Sequence, residues 1–369
     1  MPETAREIVL SLWRAGVAAV DGYAATLAAL DGIEAPDMVL AVGKAAGAMA
    51  RAALDRFGPL PALVVTKPGH GTGLPAHVRL IEAGHPVPDA SSLVAGRALR
   101  DAVAAMAPGS SLLLLVSGGA SALAEDPVAG VTLDDIAALN RRLLAAGLDI
   151  GAMNAERRRL SRIKGGGLLA GFGGARLRVL AISDVPGDDL AVIGSGIGCL
   201  PQRPGLDAGA RIIASNAVAR AAVVRAAQRR GLVVQGNHEA LHDDLYRLAA
   251  TWGERLRAMA PGVMVLGGEP TVILPENPGR GGRNQALALA LAREIAGDPG
   301  LTVIVGGTDG SDGPTDAAGG IVDGMTWGVG AATALAAADS GRYLDAQGAL
   351  LVTGPTGTNV MDLVVALRA

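Results

Sequence analysis

Short apolar runs that end in glycine and polar residues recur along this sequence, with helix-like stretches between them. Leu112 to Val116 runs into Ser117, Gly118 and Gly119. Met38 to Val42 meets Gly43 and Lys44, Val179 to Ile182 meets Ser183 and Asp184, and Thr302 to Val305 meets Gly306 and Gly307. Runs this short have the length of buried strands, and glycine lets the chain turn sharply where they end. A helix between two such runs returns the chain to the starting edge, so the strands come out parallel and the helices cover both faces. The pattern predicts α/β architecture.

The 369 residues suffice for two domains, each able to bury its own core. Strands are expected at 38–42, 63–65, 80–83, 112–116, 179–182 and 212–214. Helices are expected at 5–20, 45–56, 92–106, 133–145, 153–160, 216–230 and 239–257. Residues 185–210, rich in Gly, Pro and Asp, read as a long functional loop. The texture changes near 262. Val263–Leu266 and Thr271–Leu274 read as a hairpin or short corner around Gly267-Gly268-Glu269-Pro270. Helix 284–296, strand 302–305, loop 306–324, helix 326–338 and a strand pair near 349–353 and 360–366 follow. The expected organisation is a two-domain α/β chain: 1–240, a Rossmann-like parallel sheet flanked by helices, and 262–369, a second, smaller α/β domain.

Composition removes several function classes. A net charge of −3 gives no global field for a nucleic acid polymer, and 2% aromatic residues are too few for base-stacking platforms. No apolar run approaches the roughly 20 residues that span a bilayer, and the first eight residues lack an export-signal pattern. A single cysteine, Cys199, rules out an intrachain disulfide and a cysteine metal cage. A cytoplasmic protein without a membrane partner is expected; oligomeric state is left open. A small anionic substrate needs only a local positive site.

Of 32 basic residues only three are lysines, Lys44, Lys67 and Lys164, each within two residues of a glycine. Lysine is a compact point charge that fits a phosphate loop, so all three are candidate site residues. Ser117-Gly118-Gly119-Ala120-Ser121 lies between a strand and a helix, where backbone amides can face an anion; the bland alternative is a tight turn. Asp184 and Asp309 follow buried strands, a position from which a carboxylate can hold Mg2+ while phosphates fill its other positions. Glu269, between Gly268 and Pro270, is a third candidate. Arg158, Arg162 and Gly165 fall at helical spacing beside Lys164, and an arginine there can grip a carboxylate. His238-Glu239-Ala240-Leu241-His242 matches a zinc-protease pattern on an expected helix, but no third ligand accompanies it. No G-x-G-x-x-G follows the first strand, which disfavours NAD.

These segments together resemble the glycerate 2-kinases whose second half is the MOFRL domain. The stretches that carry the resemblance are Val42-Gly43-Lys44-Ala45, Gly84-His85-Pro86-Val87-Pro88-Asp89, Ser117 to Ser121, Leu160 to Gly166 and Ser183 to Asp188. Gly268-Glu269-Pro270-Thr271, Gly281-Gly282-Arg283-Asn284-Gln285, Gly307-Thr308-Asp309-Gly310, Asp312 to Asp316 and Thr353 to Asn359 continue it. The resemblance implies ATP-dependent phosphorylation of D-glycerate to 2-phosphoglycerate with Mg2+, in a cleft between two domains. Lys44, Asp184 and Asp309 would be catalytic, the two aspartates also as metal ligands. Ser117, Gly118, Gly119, Ser121, Arg158, Arg162 and Lys164 would bind the substrate. Glu269, Gly281, Gly282, Arg283, Asn284, Thr308 and Thr356 would bind the nucleotide, although which loop takes which ligand is left open. The alternatives are an NAD(P)-dependent hydroxypyruvate reductase and a non-catalytic nucleotide or sugar-acid binder. The sequence departs from the family pattern at Ala286, where an acid is common, at Met361, where Asn is usual, and at Glu156.

Overall fold

The computed structural model describes residues 3–145 and 150–369. The chain forms two compact units. One comprises Asp21–Ser215 with Gly357–Asn359, and the other Met1–Val20, Asn216–Thr356 and Val360–Ala369.

The first unit holds strands β1 (Met38–Val42), β2 (Ala62–Thr66), β3 (Arg79–Glu82), β4 (Ser111–Val116), β5 (Arg176–Ile182) and β6 (Asp207–Ala214). Their order is β3-β2-β1-β4-β5-β6, and every pairing is parallel. The chain builds outward from β1 in one direction and then starts again at β4, so the strand order reverses between these two neighbours. At such a switch point the connections leave in opposite directions and open a crevice. All six β4 residues are buried, which explains why this run is apolar without alternation. Leu40, Val42, Leu112, Leu114 and Val116 pack with Ala95, Leu99 and Val103 of helix Ala90–Ala104. Helix Ala46–Phe57 packs on β1 and β2.

The second unit holds β7 (Val234–Glu239), β8 (Gly262–Gly268), β9 (Leu301–Gly307), β10 (Gly319–Asp323), β11 (Leu350–Leu351) and β12 (Asp362–Arg368), in the order β11-β10-β9-β12-β8-β7. Only β7 and β8 pair in parallel; β12 runs antiparallel between β8 and β9. Alternate residues face opposite sides of a strand. Met264, Leu266, Val303, Val305, Val364 and Ala366 meet helices Leu245–Ala258 and Arg283–Glu294. Val263, Val265, Ile304, Leu363 and Val365 meet helices Ala5–Ala18 and Asn216–Arg229. A capping box between Thr4 and Glu7 starts the first of these helices, and its Trp13 lies against Gly306, where a Cβ would collide with Leu351 and crowd the indole at 3.1 Å.

Several expectations change. The division into units differs from 1–240 and 262–369, because β7 and helices Ala5–Ala18 and Asn216–Arg229 build the second sheet. Thr271–Leu274 is not a strand; β8 pairs with β12 and β7, and Thr271 makes a lone bridge to Asp244. β11 pairs with β10 rather than with β12. Residues Ala5–Ala29 are apolar on average, although Arg6, Glu7, Arg14 and Asp21 interrupt the stretch. That stretch is broken between helices Ala5–Ala18 and Gly22–Ala29, and the first buries Val9, Leu12 and Trp13.

Candidate active site

At the switch point of the first sheet, the loops after β1 and β4 are bonded to each other. The Lys44 N–H donates to the Gly118 carbonyl at 2.9 Å, and the Ala45 N–H donates to Ser117 Oγ at 3.0 Å. Ser117 is fully buried, so its hydroxyl joins two loops rather than facing a ligand. Gly43, with φ of 129°, lies against Ser117, where any Cβ would collide. Gly118 lies against the Asp184 carboxylate and the Asn359 amide, which are themselves bonded, Nδ2 to Oδ2, at 3.1 Å. A methyl group on Gly119 would lie 3.2 Å from the His85 ring and 3.2 Å from Lys44 Cγ. His70 Nδ1 is 3.1 Å from the Lys44 carbonyl. The structure thus gathers Lys44, Gly118, Gly119 and Asp184 at the carboxyl ends of β1, β4 and β5. It adds His85, which follows β3, and Asn359, neither of them expected as site residues. The helix after the glycines, Ala120–Leu123, is only four residues long, so a helix dipole contributes little there.

Beside it, Ser121 Oγ and Ser195 Oγ are 2.8 Å apart. Ser195 is left-handed, with φ of 57°, between two left-handed glycines, Gly194 and Gly196. The expected basic stripe does not form. The helix ends at Arg159, and the chain then bridges Ser161 to Pro127, with the Arg162 N–H donating to the Asp126 carbonyl at 2.8 Å. Arg162 is exposed, while Arg158 packs over Gly165 and reaches the Ala191 carbonyl at 3.4 Å. Lys164 is buried in an ion pair with Glu125, also buried. Burial pulls the Lys164 ammonium below its usual range, against the pull of Glu125.

A second constellation forms in the other sheet, where β12 begins between the carboxyl ends of β8 and β9. Asp362 stands opposite Gly268 on one side and Gly307 on the other. Its Oδ1 accepts the Asn284 amide at 2.8 Å, and its Oδ2 is 3.5 Å from Arg283 Nη2, which also meets Glu269 Oε1 at 2.8 Å. The first amides of helix Arg283–Glu294 are already capped: Asn284 N–H and Gln285 N–H donate to Asp312 at 3.0 and 2.8 Å. Gly281 and Gly282 fit closely against Ser340 and Asp312, with no room for a side chain. Burial pushes the Asp312 carboxyl up to about 6, and burial, offset in part by Arg283, pushes Asp362 up to about 7.

Thr308, fully buried, donates its hydroxyl to the Met361 carbonyl at 2.6 Å and accepts the Val360 N–H at 2.9 Å. Thr356 Oγ1 donates to the Thr308 carbonyl. These two threonines, expected as nucleotide contacts, tie loops together. Asp309 Oδ1 accepts the Ser311 N–H and hydroxyl at 2.9 and 3.1 Å. Met361 has φ of 66°, a left-handed conformation that Asn adopts more readily than Met, which accounts for the usual Asn at this position. The zinc-protease pattern fails: His238 ends on β7, not on a helix, and Glu239 pairs with Arg220. Among the described residues no group of three or more His, Cys, Asp or Glu could hold a metal ion. Mg2+ requires less, one or two carboxylates beside phosphate oxygens, and Asp184 at the glycine loop fits that demand. The Ser311 cap leaves Asp309 a weaker candidate.

The profile of the domain of unknown function DUF4147 matches residues 8–230, and that of the MOFRL family matches 262–362. The D-glycerate 2-kinase of Thermotoga maritima is 35% identical over 99% of each chain. The chain belongs to the glycerate 2-kinase family. A crystal structure of glycerate kinase from Thermotoga maritima superposes with a TM-score of 0.86, at 32% identity and over 100% of both chains. An Agrobacterium vitis relative, provisionally named a hydroxypyruvate reductase, is 36% identical over 98% of this chain and 94% of its own. In this glycerate 2-kinase fold the two constellations belong to different compact units, with Lys44 and Asp184 in one and Asp309 and Arg283 in the other.

Proposed function

We propose that the protein transfers the terminal phosphoryl group of ATP to the 2-hydroxyl of D-glycerate, giving 2-phosphoglycerate. The observation that carries this reading is the gathering of Lys44, Gly118, Gly119, His85 and Asp184 at the switch point of a parallel sheet. Phosphoryl transfer depends mainly on positioning and charge neutralisation. Lys44 supplies a compact cation on a loop fixed by the Gly118 carbonyl. Gly118 lets Asp184 and Asn359 come close to the loop backbone, Gly119 does the same for His85 and Lys44, and Asp184 orients the attacking hydroxyl or holds the metal. Mg2+, when bound with ATP, neutralises phosphate charge, and Asp184 is the residue that would hold it. Arg283, in the other unit, is proposed as a nucleotide contact. The protein is proposed to act in the cytoplasm.

The reductase name of one relative keeps a second reading open. The turn after β1 reads Gly43-Lys44-Ala45-Ala46-Gly47, without the glycine spacing that lets a dinucleotide pyrophosphate reach the helix. Incubation with ATP, Mg2+ and D-glycerate, followed by phosphorus NMR, should show a 2-phosphate ester. Oxidation of NADH by hydroxypyruvate without ester formation would overturn the kinase reading.

A further inference from the structure

We infer that Asp362 is a positioning residue that holds Arg283 and Asn284 in the orientation in which they receive an anionic ligand. The inference rests on the reading of those two residues as nucleotide contacts. Asp362 is 3% exposed and begins the strand that lies between β8 and β9, followed by the buried apolar run Leu363 to Leu367. Its cross-strand neighbours, Gly268 and Gly307, carry no side chains, so the carboxylate has room on both sides. It uses one oxygen on Asn284 and the other on Arg283.

A buried carboxylate is costly, and a buried ion pair replaced as a whole by apolar residues of similar volume often leaves a protein as stable or more so. The strand therefore holds a charge that packing does not require. Arg283 meets two carboxylates of different character. Glu269 is about half exposed and can yield to an arriving anion, whereas Asp362 is enclosed and stays. Arg283 Nε and Asn284 Oδ1 are buried and have no hydrogen-bond partner among the described residues. Such groups can take up a ligand or an ordered water. Burial raises the pKa of Asp362 to about 7, and the neighbouring guanidinium pulls the other way, towards the ionised form.

The test is a double-mutant cycle on the whole protein with Asp362→Asn, Arg283→Gln and both together. Kinetics are measured with ATP and D-glycerate, and thermal unfolding is measured in parallel. Asp362→Asn should lower kcat/KM at least tenfold while Tm stays level or rises. In the Arg283→Gln background the same change should cost less than threefold, because a residue that acts through another is silent once that other is gone. Loss of Tm in step with activity, or equal costs in both backgrounds, would overturn the inference. If the wild type shows no kinase activity, the functional reading fails alone. ATP binding by calorimetry on the same four proteins then decides, with tenfold weaker binding by Asp362→Asn expected and unchanged binding fatal.

Discussion

Gly118→Ala isolates the steric demand of the glycine loop. Gly118 is not in the left-handed region, so alanine can adopt its backbone conformation and the effect is one of space alone. The new methyl group would sit 2.5 Å from Asp184 Cγ, with the Asn359 amide equally crowded. Carbon atoms pack best at about 3.5–4.0 Å, so the carboxyl group must retreat by about 1 Å. Overpacking of this kind costs about 1–3 kcal/mol. Misplacing a reacting group by ~1 Å costs about a hundredfold in rate. Turnover with ATP and D-glycerate, read as ADP release, should fall by that order while Tm drops by several degrees. Gly171→Ala is the control. Its site has no atom within 4 Å and an ordinary φ of −85°, so stability should hold within about 1 kcal/mol and activity should be full. A Gly118→Ala protein within twofold of wild-type kcat/KM would refute the placement of Asp184 in the reaction.

Lys44→Met should lower kcat more than tenfold, about 1.4 kcal/mol of barrier or more, in the same assay; near-normal turnover removes Lys44 from the mechanism. Lys164→Met leaves Glu125 buried without its partner and should destabilise the fold by about 3–5 kcal/mol in urea titrations, whereas Lys164→Met with Glu125→Leu should recover most of that. Asp312 and Asp362 titrate near 6 and 7, above their usual 3.8, so the folded form binds more protons than the unfolded chain. Their contribution to stability is full below pH 4 and is lost as pH rises through 6 and 7, each with a slope of at most about 1.4 kcal/mol per pH unit. Unfolding midpoints between pH 5 and 8 should show a shallower decline in Asp362→Asn, and an identical profile would reject the assignment.

The strands of the first sheet were legible because residues buried on both faces leave continuous apolar runs, as Leu112 to Val116 does. Edge strands hid. β7 reads Val-Gln-Gly-Asn-His-Glu, half-exposed and polar, and its end merged into an expected helix. Pairing is nonlocal, so no local pattern announced that β12 inserts between β8 and β9. Lys44, Gly118, Gly119 and Asp184 were visible because glycine-rich loops at strand ends already mark the carboxyl edge. Asn359 was not, since it reaches Asp184 from 175 positions away. The partner of Lys164 was not legible, because a lysine beside glycines looks the same whether it faces solvent or Glu125, which lies 39 positions earlier. Asp362 hid in an apolar strand, where an acid reads as its polar start.

The helix Ala5–Ala18 covers one face of a sheet whose strands lie hundreds of residues later. A fragment begun at 262 to isolate the MOFRL half would carry Val263, Val265, Ile304, Leu363 and Val365 with that helix, Asn216–Arg229 and β7 all missing. Its bare aliphatic surface and open strand edge would invite self-association. Anyone wishing to dissect this molecule must therefore keep 216–239 with the later segment and supply the opening helix in trans or by genetic fusion.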